Sequence, residues 1–409
     1  MHHQPAPYAF FPQPGDGQPG GDPVTGLLAT GLAEVSDDPA ALDRPGWWAV
    51  VGGFEGRWTC ARFTELRTAA LPPGEWTGPA ADAWRSSLDQ DQYERGVERI
   101  RGRIAAGDVY QVNLCRVLSA PLDAQRHSGA PGAPNSPEPN SPAGLARRLI
   151  RGNPAPYAGV IDLPGHAVRV VSASPELFLR RDGDLVASSP IKGTGRTEAD
   201  LLPKDTAENV MIVDLVRNDL ARVARTGSVR VPELCAVEKH PGLVHLVSTV
   251  TARLRPGAGW PQLLEAAFPP GSVSGAPKLS ALRIIGELEP AERGPYCGAF
   301  GWVDNRSGAP DRCTARLAVG IRTFWIQPGG PANPDPADDP ADNRADDPAG
   351  DRGPGPESRP GADEPHSWLR FGTGAGITWG SDPLGEWRET ELKAARLIAL
   401  ASRRSDRAD

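Results

Sequence analysis

The sequence predicts a mixed fold of strands and helices, and three observations carry that reading. Apolar runs bounded by Gly, Asn and Asp recur along its 409 residues and read as strands. The stretch Ser174–Thr197 reads as a β-hairpin, because Asp182-Gly183 is a dipeptide that a two-residue type I′ turn prefers and the candidate strands Leu177–Arg181 and Asp184–Ile191 flank it. Asp205–Ala224 then sets Val213, Val216, Leu220 and Val223 at helical spacing, the strongest helix signal in the chain. Length alone permits two or three domains, or one large domain carrying insertions.

Composition narrows the function classes. The five cysteines form no CxxC pair, which suggests neither a disulfide framework nor a thiolate zinc site, and fits a reduced cytoplasmic setting. The N-terminus lacks a basic start followed by an apolar run, and no stretch approaches the ~18 apolar residues of a membrane span. A soluble protein without a membrane partner is expected. Pro331–Pro365 holds ten Asp and Glu against three Arg, which already accounts for the formal charge of −7. The remainder is near neutral and has no basic stripe, so nucleic acid is not expected as a partner.

In chain order, residues 1–45 are rich in Pro and Gly and are expected to be loosely ordered. Trp47–Phe63 reads as strands separated by Gly-containing turns. Tyr93–Ala106 places Val97, Ile100 and Ile104 on one helix face, with Gly107 as its stop. In the following DVYQVNLCRVLSAPL, alternation puts Tyr110, Val112 and Leu114 on one strand face and turns Gln111 and Asn113 away from the core. Ala124–Pro142 reads as a surface loop and Leu145–Arg151 as a short helix closed by Gly152. The strand-like AGVIDL and HAVRVVSAS lead into the hairpin. At the open end of that hairpin Glu176 and Lys192 face a common space beside a Gly-Thr-Gly loop, a candidate acid and nucleophile pair. Taken alone, the same pattern also describes a surface hairpin with two solvated charges.

Beyond the hairpin, Glu208 lies in the first turns of the Asp205–Ala224 helix, where the helix dipole alone accounts for a Glu. Val229–Val231 reads as a short strand. His245 sits in an apolar alternating run, the usual setting of a hydrogen-bonded structural histidine. Leu263–Phe268 is a short helix. Gly271 and Gly275 then precede a helix opened by Pro277 and carrying Leu282, Ile285 and Leu288, so that backbone N–H groups and Lys278 stand at an end that attracts anions. Tyr296–Asp304 and Ala315–Trp325 read as long strands, the second containing Arg322. The acidic, Pro-rich residues 328–366 read as a disordered insertion. Trp368–Gly372 resumes the sheet, GTGAGI makes a glycine turn, and Glu386, Glu389, Thr390 and Lys393 share one face of a terminal helix.

Taken together, these stretches resemble the chorismate-utilising enzymes, and among them the aminodeoxychorismate synthases. GDVYQVNL, NPAPY, SASPELFL, SPIKGTGRT, AENVMIVDLVRNDLARV, VEKHPGLVHLVSTVTARL, FPPGSVSGAPKLSALRIIGELE, RGPYCGAFGWVD, LAVGIRT and GTGAGITWGSDPLGEWRETELKA carry the likeness, in family order from about Tyr93 to Leu400. The resemblance implies an α+β fold of two large antiparallel sheets packed face to face with helices outside and a cleft for Mg²⁺ and chorismate. It implies one chorismate-binding domain over 86–409, preceded by a short divergent segment, 1–85, that contributes strands.

Carried over by residue, the resemblance implies that Glu208 and Glu389 hold Mg²⁺, with Asp205 and Glu386 as acidic support. The amides of Gly374, Ala375 and Gly376 together with Lys393 would cradle the ring carboxylate, and Tyr296 and Arg322 would clamp the enolpyruvyl carboxylate. His245 would lie by the departing hydroxyl, Glu176 would be the general acid, and Thr194 and Ser274 would line the pocket. Lys192 stands where aminodeoxychorismate synthases carry the lysine that attacks the ring and expels the 4-hydroxyl, and where anthranilate synthases typically carry Ala. Gln111 stands where isochorismate and salicylate synthases carry a water-activating Lys. The implied reaction joins chorismate and ammonia into 4-amino-4-deoxychorismate, with ammonia from a separate glutamine amidotransferase subunit. The alternatives are an anthranilate synthase component and a non-catalytic chorismate-binding paralogue. The chain departs from the family pattern at Gly195, at Ala221 and in its first, divergent segment.

Overall fold

In the computed structural model, which describes residues 6–12, 24–122, 140–195, 197–201, 203–240, 243–329 and 367–403, the apolar runs of the first third become strands. They are β1 (Tyr8–Pro12), β2 (Thr25–Ser36), β3 (Trp47–Gly52), β4 (Trp58–Ala70), β5 (Arg85–Ser86) and β6 (Gln111–Leu122), with helix α1 (Gln90–Ala105) before the last. The middle third adds α2 (Pro142–Gly152), β7 (Tyr157–Leu163), β8 (Val168–Ser174), β9 (Leu177–Asp182), β10 (Leu185–Ser189) and β11 (Ile191–Gly195). Helix α3 (Pro203–Ala221), β12 (Arg230–His240) and β13 (Leu243–Arg253) follow. The last third supplies α4 (Trp260–Ala267), β14 (Gly275–Ala276), α5 (Lys278–Leu288), β15 (Ala299–Asp304) and β16 (Thr314–Val319), then β17 (Thr323–Pro328), β18 (Ser367–Ile377) and α6 (Pro383–Ala401).

All pairings among these strands are antiparallel. One ladder runs β12, β13, β10, β9, β16, β15, β3, β4, β2, β1, β7, β8, β17, β18, β6, with β11 also on β13 and with β5 and β14 on β6. Its two halves close on a shared core: Trp47, Val50, Phe300 and Leu317 of one half cluster with Val117, Ile161 and Val170 of the other. Phe11 of β1 stands at the join, its ring 6.0 Å from Trp47 and 5.7 Å from Phe300. The two expected sheets are thus halves of one continuous ladder, folded over so that inward side chains interdigitate. Helices cover the outside. Leu145, Leu149 and Leu397 of α2 and α6 pack on Val160, Phe324 and Phe371. Tyr93, Val97, Ile100 and Ile284 of α1 and α5 pack on Val112, Leu114 and Ile377. No helix among the described residues is long and apolar enough to cross a membrane.

Several expectations are corrected by this architecture. Tyr8–Pro12 and Thr25–Ser36 of the segment expected to be loose are paired strands inside the ladder, because Phe10 and Leu28 supply apolar side chains that the Pro and Gly count does not reveal. Tyr110 is exposed and precedes its strand, whereas Gln111 and Asn113 are buried, since β6 is covered on both faces. The hairpin turn centres on Gly183-Asp184, with Leu185 opposite Asp182 and positive φ at Gly183 alone, the type II′ pattern. Val229–Val231 is the start of the much longer β12. Ala315–Trp325 is two strands, and Arg322 sits in the break between them at φ 52°. GTGAGI is no turn: it continues β18 in register with β6 to Ile377. Lys278 does not await an anion, because its Nζ lies 2.7 Å from Asp219 Oδ2 on α3. Residues 123–139 and 330–366, which hold most of the expected surface loop and of the insertion, lie outside the described residues.

Pro328 and Ser367 are register partners at the end of the β17–β18 pair, so the chain ends flanking 330–366 lie side by side. Replacing 330–365 by a short Gly/Asn turn should leave activity unchanged and hold or raise the melting temperature, because closing a shorter loop costs ~0.6 kcal/mol less per halving of its length. Differential scanning fluorimetry checks this, and a clear fall in melting temperature would show that the segment contributes to the fold.

Candidate active site

Sequence places Glu176 just before β9 and Lys192 on β11, and the β9–β10–β13–β11 pairing carries both to one end of the sheet. The Glu176 carbonyl accepts from the Val319 N–H at 3.0 Å and its own N–H donates to Ser174 Oγ at 3.2 Å, which fixes the turn into β9. Its carboxyl is buried, 4% exposed, and desolvation pushes its pKa up to about 7 against the opposing Ser272 hydroxyl, Lys192 charge and Ile191 N–H. A carboxylic acid with that value is half-protonated at neutral pH and can give up a proton there.

Lys192 enters the same space through a bulge. The β11–β13 register shifts between Lys192 and Thr194, where Gly193 takes φ 77°. A Cβ at Gly193 would stand 2.9 Å from the Asp205 Cβ, so only glycine lets β11 approach α3 this closely. Lys192 Nζ ends 4.0 Å from Glu208 Oε2.

These side chains open on a cavity of about 240 Å³. The first turns of α3 present Lys204, Asp205 and Glu208 to it, and α6, capped by Asp382, presents Glu386, Glu389 and Lys393. Burial raises the Glu208 pKa, countered by Lys192 and Lys204 and reinforced by Asp205 and Glu389. Burial likewise raises Glu386, with Glu389 adding to the effect. Burial also works upward on Glu389, but Lys393, whose Nζ lies 2.6 Å from its Oε1, carries it below the ordinary value. Among the described residues no three His, Cys, Asp or Glu converge as a protein-only metal cage. A wet, half-buried carboxylate set suits instead a hard cation that keeps much of its own shell, as Mg²⁺ does, because such an ion relieves carboxylates that burial and mutual repulsion now oppose.

Opposite the carboxylates stand groups suited to anions. Arg322, held at positive φ, lines the cavity, and its guanidinium has no hydrogen bond or ion pair among the described residues. Desolvation lowers its pKa, a cost that a bound carboxylate would offset. Tyr296 and His245 are buried in the wall. On β18 the alternate residues Gly372, Gly374 and Gly376 face the cavity, and Lys393 Nζ donates to the Gly374 carbonyl at 3.0 Å. A Cβ at Gly376 would lie 3.2 Å from Lys192 Nζ and one at Gly372 2.0 Å from the Tyr296 ring, so the glycines keep this face open.

The family model for chorismate binding enzyme matches residues 58–332. The chain belongs to the chorismate binding enzyme family. It is 42% identical over 256 residues to aminodeoxychorismate synthase component 1 of Klebsiella aerogenes, covering 59% of this chain and 52% of that protein. It is 34% identical over 360 residues to anthranilate synthase component 1 of Streptomyces coelicolor, covering 85% and 58%. The chain thus spans about half the length of the curated relatives it matches. Among solved structures it superposes on the menaquinone-specific isochorismate synthase of Escherichia coli with TM-score 0.69, 17% identity and 98% and 90% coverage. Anthranilate synthase component I of Streptococcus pneumoniae gives 0.65, 21%, 97% and 93%. These likenesses show the fold.

Within this family member, twelve of the sixteen residues expected at the site line one cavity: Glu176, Lys192, Asp205, Glu208, His245, Tyr296, Arg322, Gly374, Gly376, Glu386, Glu389 and Lys393. Three do not. Ser274 is buried with its Oγ donating to the Pro270 carbonyl at 2.9 Å, and Ser272 and Val273 line the wall instead. Ala375, expected to offer its backbone amide, is not among the lining residues and turns its side chain to the other face of the pleat, into the core beneath α1 and α5. Gln111 is not among the lining residues: its amide fills the space in front of Gly376 on the Lys192 side, its Oε1 without a hydrogen-bond partner. The Thr194 side chain lies outside the described set. Lys204, Ser272 and Thr373 also line the cavity and were not expected there, although Lys204 is readable as the neighbour of Asp205 one helical turn before Glu208.

Proposed function

We propose that the chain is the chorismate-aminating subunit of an aminodeoxychorismate synthase, which converts chorismate and ammonia to 4-amino-4-deoxychorismate, with ammonia from a partner glutamine amidotransferase. The observation that carries this reading is Lys192 Nζ opening, with the buried carboxyl of Glu176, on the cavity that Arg322 and Lys393 line. Arg322 and Tyr296 hold one substrate carboxylate, and Lys393 with the β18 glycines holds the other side of the ring. The Lys192 amine adds to the ring, and the 4-hydroxyl leaves as water with the proton of Glu176 while His245 positions it. Ammonia then adds at C4 and the lysine is released. Mg²⁺, bound by Glu208 and Glu389 with Asp205 and Glu386 beside them, would supply electrostatic stabilisation of substrate carboxylate charge.

Turnover of chorismate, Mg²⁺ and ammonium by the purified chain tests the reading, with 4-amino-4-deoxychorismate as the expected product. The 85% span aligned with an anthranilate synthase component favours that activity as the second reading, and anthranilate as product would establish it. No turnover by folded protein would leave a non-catalytic chorismate-binding paralogue. Glu389→Gln should spare the fold and remove most activity, more than Glu386→Gln does, because a hard cation depends on ligand charge. Near-normal turnover of Glu389→Gln at limiting Mg²⁺ would count against the metal assignment. The Glu176 value of about 7 predicts that expulsion of the hydroxyl slows as pH rises through 7, where the acid loses its proton. Single-turnover rates against pH check it, and an unchanged descending limb in Glu176→Gln would assign the limb to another group.

A further inference from the structure

A second cavity, of about 610 Å³, opens on the same face of β18 as the cleft. Side chains alternate along a strand, so Arg370 stands two residues before Gly372 on the face that carries Gly374 and Gly376. The wall between the cavities is one segment. Pro290, Glu292, Gly294 and Pro295 line the second cavity, and Tyr296 lines the first with its ring against Gly372.

Three arginines line this second cavity, and two are already engaged. Arg57 Nη1 donates to Glu292 Oε1 at 3.2 Å, and Arg169 Nε donates to Asp162 Oδ1 at 2.9 Å. Arg370 has no hydrogen bond or ion pair among the described residues, and its Nε is buried without a partner. Leaving such a donor unmatched is costly, and a planar carboxylate completes a guanidinium in two parallel hydrogen bonds. Around it the walls are apolar: Val51, Val170, Pro295 and Trp325 line the cavity. A flat indole and branched aliphatic side chains suit a flat apolar body, and the volume falls in the range of small-molecule sites. With Arg57 on Glu292 and Arg169 on Asp162, and Glu292 acting on Arg370 without a hydrogen bond to it, the lining offers one guanidinium to one carboxylate, which disfavours phosphates and dicarboxylates.

We infer that this cavity binds a small aromatic monocarboxylate, its carboxylate on Arg370 and its ring against Trp325 and Val170, the residues that register with each other across β17 and β8 on the Arg370 face. The site is separate from the cleft and does not depend on which reaction the cleft performs.

Isothermal titration calorimetry with 2-naphthoate tests it, with 2-naphthamide as the uncharged control of the same shape. The acid should bind the full chain at one site. Arg370→Met should weaken it at least about tenfold, the loss expected for a charge-assisted hydrogen-bonded pair, as should the change from acid to amide. Arg322→Met, in the cleft, should leave the affinity unchanged. Ala291→Trp, which fills the cavity without removing a charge, should abolish binding and retain basal turnover, and it decides the matter should Arg370→Met fail to fold. Equal affinity of acid and amide, unchanged binding by Arg370→Met or Ala291→Trp, loss of binding in Arg322→Met, or no binding at millimolar 2-naphthoate would each overturn the inference.

Discussion

Lys192→Ala should cut 4-amino-4-deoxychorismate formation by roughly 10²- to 10⁴-fold, the range seen when a group acting directly on the reacting centre is removed. Chorismate affinity should stay within a few-fold, because Arg322, Tyr296 and Lys393, the groups proposed to hold the substrate, line the cavity from other elements. The variant should fold normally, since Lys192 is a strand residue whose side chain opens on the cavity and whose nearest charge, Glu208 Oε2, lies 4.0 Å away. With the amine gone, ammonia or water is free to enter the ring at C2, so the product distribution should change along with the rate. Product chromatography of the variant, and mass spectrometry of the wild type trapped without ammonia, provide the check. Unchanged rate and product together with no adduct on Lys192 would reduce this lysine to a lining residue and reopen the choice between synthases.

Which parts of this site were legible in the sequence follows from the range of the interactions involved. Glu176 and Lys192 were readable together because a hairpin is a local object, and a wrong turn type still brings its two ends together. Glu208, Glu386, Glu389 and Lys393 were readable as helix faces, since spacings of three and four are local too. Their convergence was not, because α3 and α6 meet only through a ladder whose order bears little relation to chain order. The glycines of β18 show the limit most clearly. Locally GTGAGI looks like a turn, but eleven register pairs with β6, from Ser367 to Ile377, override that propensity. Their missing side chains serve the face across the sheet, where Tyr296 and Lys192 need the room. Ser274 was misplaced for the opposite reason: a motif gives a neighbourhood, and a single backbone acceptor at Pro270 decides which serine faces inward.

Arg293 was invisible in the sequence, and its removal should carry a larger stability cost than the loss of Lys192, Glu176 or Glu389. It follows α5 outside the helix and is 1% exposed. Its guanidinium donates to both carboxylate oxygens of Glu289, at 2.7 and 2.6 Å, and to the carbonyls of Val273 at 2.8 Å and Asn113 at 2.7 Å, beneath the Phe54 ring. Both carbonyls belong to cavity-lining residues, and Tyr296 lies three positions on, so this one side chain ties three parts of the wall together. Arg293→Met keeps the volume but strands the Glu289 carboxylate in the core, and breaking a buried pair by removing one partner costs about 3–5 kcal/mol. Burial already raises the Glu289 pKa, with Arg293 opposing it. Without Arg293 the folded-state value climbs further above the unfolded one. The protonated form is then the one the fold tolerates, so the variant's stability is retained below the unfolded value and lost as pH rises through the folded one. Urea denaturation at pH 5 and pH 8 should therefore show a smaller deficit at pH 5, and Glu289→Gln added to Arg293→Met should recover part of the loss at pH 8. A deficit below about 1 kcal/mol, independent of pH, would mean that water reaches Glu289 once Arg293 is gone and that the pair does not hold this wall of the cavity together.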